Sequence, residues 1–264
     1  GGNNKMIHKK KWFIGSLVFA GLLLSACASG STDNTGESQA ADNAANQDTF
    51  TYAISGDSSA TNPINTSDRW GLTVNNMIYS PLVAIETDGT EKNILAESVE
   101  AAEDGLSITV KLKEDVKWSD GEAFTADDVI FTYEQKVKKE NGNADQLWIQ
   151  DEPVAFEKVD DYTVKFILPS PSAAALHNIV TETFIIPEHV FKDVEDFSVN
   201  ELPVAAVGTG PYKLKEYKRG EYLTFEANEN YFGGEAGIQN VTLRIITSSD
   251  TAKVALQKGE VDAA

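Results

Sequence analysis

Three histidines and one cysteine are all that the 264 residues offer for soft-metal or thiol chemistry. His177 and His189 stand twelve positions apart, too far for two ligands on one helical face, and no H-E-x-x-H pattern occurs. Both read as ordinary surface or half-buried side chains. The lone Cys27 excludes a disulfide framework and a cysteine-based zinc site. There is no G-x-S-x-G elbow and no Walker loop. Gly208-Thr209-Gly210 looks superficially phosphate-binding, but Pro211-Tyr212 follows, which removes a backbone donor and opens a strand rather than a helix. Adjacent carboxylates such as Asp127-Asp128 and Asp160-Asp161 are unavoidable in so acidic a chain. At a helix start, Asp127 and Asp128 answer the macrodipole better than they answer glycosidase chemistry. No catalytic residue, metal ligand or cofactor is expected from these patterns, and the chain does not read as an enzyme.

The elements that would position these residues form a mixed strand and helix framework. Period-two alternation predicts strands at Phe50–Ile54, Ser107–Lys113, Asp161–Leu168 and Tyr222–Ala227, with a short β-rich run at Val241–Ile246. Thr125 followed by Asp128 makes a capping-box-like start, after which Val129, Ile130, Tyr133 and Val137 repeat at helical spacing. Pro187 opens a short helix through Phe191. Ser249 or Asp250 caps a further helix over Thr251–Lys258, and Gly259 closes it. Strands outnumber helices without the regular alternation of a doubly wound sheet.

The N-terminal stretch reads as an address. Lys9-Lys10-Lys11 is a positive n-region, Trp12 to Leu24 is apolar but short for a span, and Leu24-Ser25-Ala26-Cys27 ends it. That layout is a secretory signal peptide over residues 1–26. Gly1 to Lys5 precede Met6 and are read as a translated leader, with Met6 the expected start. From Ala28 to Asp48 no aromatic or branched aliphatic residue occurs, so burial cannot offset chain entropy. Residues 27–48 are expected to be a flexible tether, holding a domain about 25 Å from its anchor on average.

Charge narrows the partners. Acidic residues number 41 against 22 basic, a net charge of −19. Lys5, Lys9, Lys10 and Lys11 all precede Cys27, so the remainder is more acidic still. Such a surface repels phosphate backbones, and no nucleic-acid partner is expected. Hydrophobic residues at 41% nevertheless suffice for a packed core. Trp70, Trp118, Trp148, Tyr162, Tyr212, Tyr222 and Tyr231 fall mostly at strand ends and turns. Core packing is the default for each, and several beside glycines also suit a ligand cleft.

Specific blocks carry a resemblance. Val116-Lys117-Trp118-Ser119-Asp120-Gly121-Glu122-Ala123-Phe124-Thr125-Ala126-Asp127-Asp128-Val129 is similar to the hallmark block of the family 5 extracellular solute-binding proteins, the oligopeptide-, dipeptide- and nickel-type receptors of ABC importers. Agreeing blocks follow in order: Asp161–Phe166, Ile186–Val190, Val207–Tyr212, Ala227–Gly234 and Ala255–Asp262. The resemblance covers about Phe50 to the end, and Ala264 falls about halfway along a family member. The ending at Cys27 resembles a lipobox, which implies lipidation of that cysteine.

The resemblance implies a periplasmic-binding-protein-like α/β fold of mixed α+β character, a two-lobed Venus flytrap. Residues 49–66 would begin the first lobe, 67–203 would form a family-specific subdomain, and 204–264 would return to the first lobe. The second lobe would come from a later part of such a chain and is missing here. The implied function is an ABC-importer lipoprotein that captures extracellular peptides and delivers them to a membrane permease and its ATPase. Peptide-pheromone sensing or adhesion, and a nickel or other solute receptor, are the alternatives. The implied location is the outer face of the cell membrane, through the lipid anchor, as a monomer. The resemblance places Asp57, Ser58 and Ser59 on the first-lobe edge that meets a peptide, and Tyr231, Phe232 and Gly233 at the same cleft. An edge that bonds through its backbone predicts small costs for Asp57→Ala, Ser58→Ala and Ser59→Ala.

Overall fold

The computed structural model describes residues 48–58, 62–181, 183–198 and 207–264. The signal segment, Cys27, the tether up to residue 47, and Ser59 lie outside the described residues.

The chain begins with β1 (Thr49–Ile54), α1 (Arg69–Ile78), a hairpin of β2 (Val83–Ile85) and β3 (Glu91–Asn93), then β4 (Ala96–Ala101) and β5 (Ser107–Leu112). Next come α2 (Ala126–Lys136), a 3-10 turn at Ala144–Leu147, the two-residue pair β6 (Trp148–Ile149) and β7 (Glu152–Pro153), β8 (Ala155–Asp160) and β9 (Thr163–Ile167). The last part holds α3 (Ala173–Thr181), α4 (Glu188–Phe191), β10 (Tyr212–Lys218), β11 (Tyr222–Ala227), β12 (Asn240–Ile245) and α5 (Ser249–Gln257).

Two four-stranded sheets carry the architecture. The first has the order β1-β12-β11-β10. Here β1 runs parallel to β12, from Thr49 opposite Asn240 to Ile54 opposite Ile245, and the other pairings are antiparallel. Strand alternation buries Leu223, Phe225 and Leu243 on one face, where they meet Ile54, Ile78, Ile186 and Phe191. Each such burial contributes roughly 1.5–3 kcal/mol, which holds together strands almost two hundred positions apart in the chain. The second sheet, β4-β5-β9-β8, is antiparallel throughout. It buries Ile108, Val110, Val164 and Phe166 against Val129 and Tyr133 of α2. Its other face sets Glu100, Thr109, Lys165 and Glu157 side by side across four strands. Alternation of apolar and polar residues thus fixes the register, since a one-residue slip would expose the whole apolar set.

The expected strands and helices are present, with ends shifted by one or two residues. The α2 start is a true capping box: the Asp127 amide donates to Thr125 Oγ1 at 3.3 Å, and the Thr125 amide donates to Asp128 Oδ2 at 3.0 Å. Packing crosses the expected boundary at residue 67. Ile78 of α1, with Ile186, Phe191 and Phe197, belongs to the core of the first sheet, although all four fall within the 67–203 segment expected to form the subdomain.

Candidate functional site

Helix α1 runs along the first sheet and ties its two ends. Asp68 starts it, its Oδ1 accepting from the amides of Trp70 at 3.1 Å and Gly71 at 2.9 Å. Ten residues make a helix about 15 Å long, close to the length of the strands beneath it. At its start, a Cβ on Gly71 would lie 2.4 Å from Thr66 Cγ2 and 2.8 Å from both Asp68 Oδ2 and Ser58 Oγ. Only glycine lets Ser58 and Thr66 close on the helix there. At its end, a Cβ on Gly208 would lie 1.8 Å from the Ile78 carbonyl oxygen, and one on Gly210 2.6 Å from the Met77 oxygen. The Gly208-Thr209-Gly210 bend is therefore a close crossing over the helix terminus. The Gly210 amide donates to that same Ile78 oxygen at 2.8 Å.

The segment after β1 is clamped on both sides. Asp57 Oδ1 accepts from the Ser58 amide at 2.9 Å and from the Tyr217 hydroxyl, while Oδ2 accepts from the Gly220 amide at 2.8 Å. This fastens the chain to the β10–β11 turn, where Gly220 holds φ +73°. Gly56 faces the Trp70 indole, where a Cβ would come within 3.0 Å of Cδ1 and Nε1. Ser58 is buried at 6% exposure. The Asp57 carboxylate thus accepts three hydrogen bonds of its own, in addition to whatever its backbone does.

Beside this segment an open cavity of about 380 Å³ lies along α1. Thr66 and Ser67 border it, with Leu72 and Asn76 at i and i+4 on the helix, and Asn143 and Gln146 opposite. Pro81, Ile85 and Phe184 add apolar wall. Among the described residues none that lines it is charged. The Asn143 side-chain amide donates to the Ile64 carbonyl at 2.8 Å, and Asn65 Oδ1 accepts from the Gly142 amide at 2.8 Å, so two amide-rich loops hold each other. Neutral donors and acceptors beside apolar surface suit a ligand of amides and carbonyls. None of these lining residues was singled out in the sequence. The legible signal was the uncharged amide and hydroxyl run Asn62–Ser67, together with Asn141-Gly142-Asn143, in an otherwise acidic chain.

The other sequence-predicted group sits elsewhere. Tyr231, Phe232 and Gly233 follow β11 at its Ala227 end, next to Tyr212 and Asn240. Asp57 and Ser58 lie beyond Ile54, at the Tyr222 end of the same strand. The structure places the two groups at opposite ends of β11 and brings them into no direct contact among the hydrogen bonds described. The Tyr231 turn instead joins a junction of motif blocks. Asn230 Nδ2 donates to the Ser119 carbonyl at 3.2 Å, the Ser119 amide donates to the Gly208 carbonyl at 2.9 Å, and Asn228 Nδ2 donates to the Gly210 carbonyl at 2.8 Å. Phe232 packs on the core of the second sheet, with Lys113 Nζ 5.3 Å from its ring centre. A Cβ on Gly233 would meet the Tyr231 ring at 2.5 Å, so the missing side chain makes room for the chain itself. His189 belongs to this junction, its Nε2 2.8 Å from Asp120 Oδ2, whereas His177 Nδ1 pairs with Glu91 Oε1 at 2.7 Å. Among the described residues no cluster of three or more His, Cys, Asp or Glu side chains could hold a metal.

Residues 91–264 match the bacterial extracellular solute-binding proteins, family 5 Middle, and the chain belongs to that family. It is 31% identical over 250 residues to the oligopeptide-binding protein AppA of Bacillus subtilis, covering 93% of this chain and 46% of that protein. The structure of AppA in complex with a nonapeptide superposes with a TM-score of 0.71 at 30% identity, over 81% of this chain and 43% of that one. The ABC transporter substrate-binding protein CtaP of Listeria monocytogenes gives a TM-score of 0.74 at 39% identity, over 81% and 43% of the two chains. The nickel-binding periplasmic protein of Escherichia coli is 31% identical over 189 residues, 70% of this chain and 35% of that protein. The chain spans less than half the length of these relatives. The family consists of solute-binding proteins, and the α/β binding-protein fold expected from the sequence blocks is the one observed.

Proposed function

We propose that this chain is the first-lobe half of a peptide receptor of an ABC importer, a binding protein and not an enzyme, which hands its ligand to a permease and ATPase. The cavity carries this reading: its lining of Thr66, Ser67, Asn76, Asn143 and Gln146 is uncharged and rich in amides and hydroxyls. Such a surface matches what all peptides share, their backbone amides and carbonyls, better than it matches a metal chelate. The edge at Asp57–Ser59 faces the ligand, and a second lobe from further along the chain closes over it. Residues 49–66 and 204–264 make the first lobe, a division supported by the pairing of β1 with β12. The Tyr231-Phe232-Gly233 turn is a structural junction in this scheme. The reading also includes a cleaved signal peptide and an outer-face lipid anchor on Cys27.

Mass spectrometry of the species released by denaturing the purified full-length protein tests the receptor. Peptides of varied sequence are expected. Recovery of a metal chelate, together with no thermal stabilisation by any peptide of a di- to pentapeptide series, would overturn it. For the anchor, Cys27→Ser is expected to yield unprocessed or released protein. Normal cleavage and full membrane retention of that variant would count against lipidation.

A further inference from the structure

We propose that Asp57 is a positioning residue, which sets the backbone of residues 56–58 for the ligand instead of touching it. This inference rests on the reading above, that the edge at Asp57–Ser59 faces the ligand. Both carboxylate oxygens are engaged within the chain. Oδ1 takes the Ser58 amide at 2.9 Å and the Tyr217 hydroxyl, and Oδ2 takes the Gly220 amide at 2.8 Å. The Tyr217 ring is itself covered by Arg219, whose guanidinium carbon is 5.2 Å from the ring centre. Trp70 stops the segment at Gly56, and Gly71 lets Ser58 seat against α1 beside Thr66, a residue that also borders the cavity. The segment is thus held by the β10–β11 turn on one side and by the start of α1 on the other.

The consequence concerns entropy. An edge that binds through its backbone must already be ordered, because a loose one loses its freedom at the moment of binding and weakens every ligand alike. Three hydrogen bonds from groups that are remote in sequence or adjacent to the carboxylate remove that freedom beforehand. A positioning role therefore predicts a loss of affinity that is uniform over ligand side chains and tracks the mobility of residues 56–58.

The test combines hydrogen exchange with binding of tri-alanine in the full-length protein, for wild type, Asp57→Asn and Tyr217→Phe. Asp57→Asn keeps one acceptor oxygen but presents an N–H group where the Gly220 amide needs an acceptor. Tyr217→Phe removes only the hydroxyl. Asp57→Asn is expected to speed exchange of segment 55–58 and of the Gly220 amide by about tenfold, with β5 and β9 unchanged, and to weaken tri-alanine by about tenfold. Tyr217→Phe should move both quantities in the same direction by about threefold. Unchanged exchange would overturn the clamp. Loss of binding with unchanged exchange would make Asp57 a direct contact and overturn the positioning role. Faster exchange with undiminished affinity would instead overturn the placement of the ligand at this edge.

Discussion

The indole N–H of Trp118 donates to the carboxylate of Asp128 at 3.2 Å, with both side chains buried. The same Oδ2 accepts from the Thr125 amide at 3.0 Å, and Oδ1 accepts from the Glu188 amide at 2.9 Å. One carboxylate thus caps its own helix α2, holds the turn that begins at Trp118, and takes the first amide of α4. The sequence block spanning Trp118 to Asp128 is a single hydrogen-bonded joint. Asp120 pairs with His189 and Asp127 with Lys158, so three of its carboxylates serve the fold.

Asp128→Asn replaces an acceptor by a donor facing N–H groups, and is expected to cost roughly 1–3 kcal/mol at neutral pH. Burial pushes the Asp128 carboxyl above its ordinary value even though three N–H donors and the nearby His189 pull it down. A carboxyl raised in the folded state contributes stability that is complete below its unfolded pKa and lost as pH rises through the folded one. The advantage of wild type over Asp128→Asn should therefore shrink as pH rises from the ordinary carboxylate range toward neutrality. Urea unfolding of both proteins across that interval measures it, and a growing advantage would contradict the sign.

Asp68→Ala removes the acceptor for the amides of Trp70 and Gly71, and N-cap losses of this kind cost about 1 kcal/mol. The helix it starts includes Gly71, Thr73, Asn75 and Asn76, all poor helix formers, so little local propensity is available to compensate. Lower thermal stability is expected, with faster exchange concentrated in α1. Since Leu72 and Asn76 border the cavity, ligand affinity should fall as well. Asp68→Asn, which retains a capping oxygen, should recover most of both.

Gly208→Ala is a sharper steric test. A Cβ there would sit 1.8 Å from the Ile78 carbonyl oxygen and 2.7 Å from its carbon, both backbone atoms at the end of α1. Neither can swing aside as a side chain does, so the crossing must separate, at an expected cost of at least about 3 kcal/mol. Gly237 provides the control, because a Cβ on it would meet no atom within 4 Å. Gly237→Ala should be neutral or stabilising by up to about 1 kcal/mol through the unfolded chain. Urea midpoints of the two variants would expose an error if they moved together.

The strands whose apolar residues alternate were legible in the sequence because alternation is what burial on one face requires. Phe225 and Leu243, or Val164 and Phe166, announce their sheets in this way. The α2 start was legible because Thr125 and Asp128 satisfy each other locally. Helix α1 was not, since its residues have weak helix propensity and it is held by Ser58, Thr66 and the Gly208 crossing, none of them neighbours on the helix. The cavity was hidden for the same reason: Thr66, Asn143 and Thr183 converge only after folding. Asp57 was singled out, but its bonds to Tyr217 and Gly220 were not legible because those partners are more than 150 residues away. Local rules find elements, while a site assembled across the chain depends on packing that no short window contains.

Gly233 separates the structural role of its turn from a ligand role. A Cβ at this position would fall 2.5 Å from Tyr231 Cε1, 2.6 Å from Cζ and 2.8 Å from the hydroxyl oxygen. These are the far atoms of a half-buried ring, which stacks at a tilt on Phe232 with centroids 5.0 Å apart. Gly233→Ala should displace that ring at a cost of about 1–2 kcal/mol, less than the backbone clash at Gly208. In a Tyr231→Ala background the obstacle is gone, so Gly233→Ala should then cost little, and the double-mutant cycle should return a coupling of about 1 kcal/mol. Tri-alanine affinity of the full-length protein should stay within about twofold in all three variants, because Tyr231 and Asp57 lie at opposite ends of β11. A Gly233→Ala protein of undiminished stability that bound tri-alanine tenfold more weakly would instead return this turn to the ligand cleft.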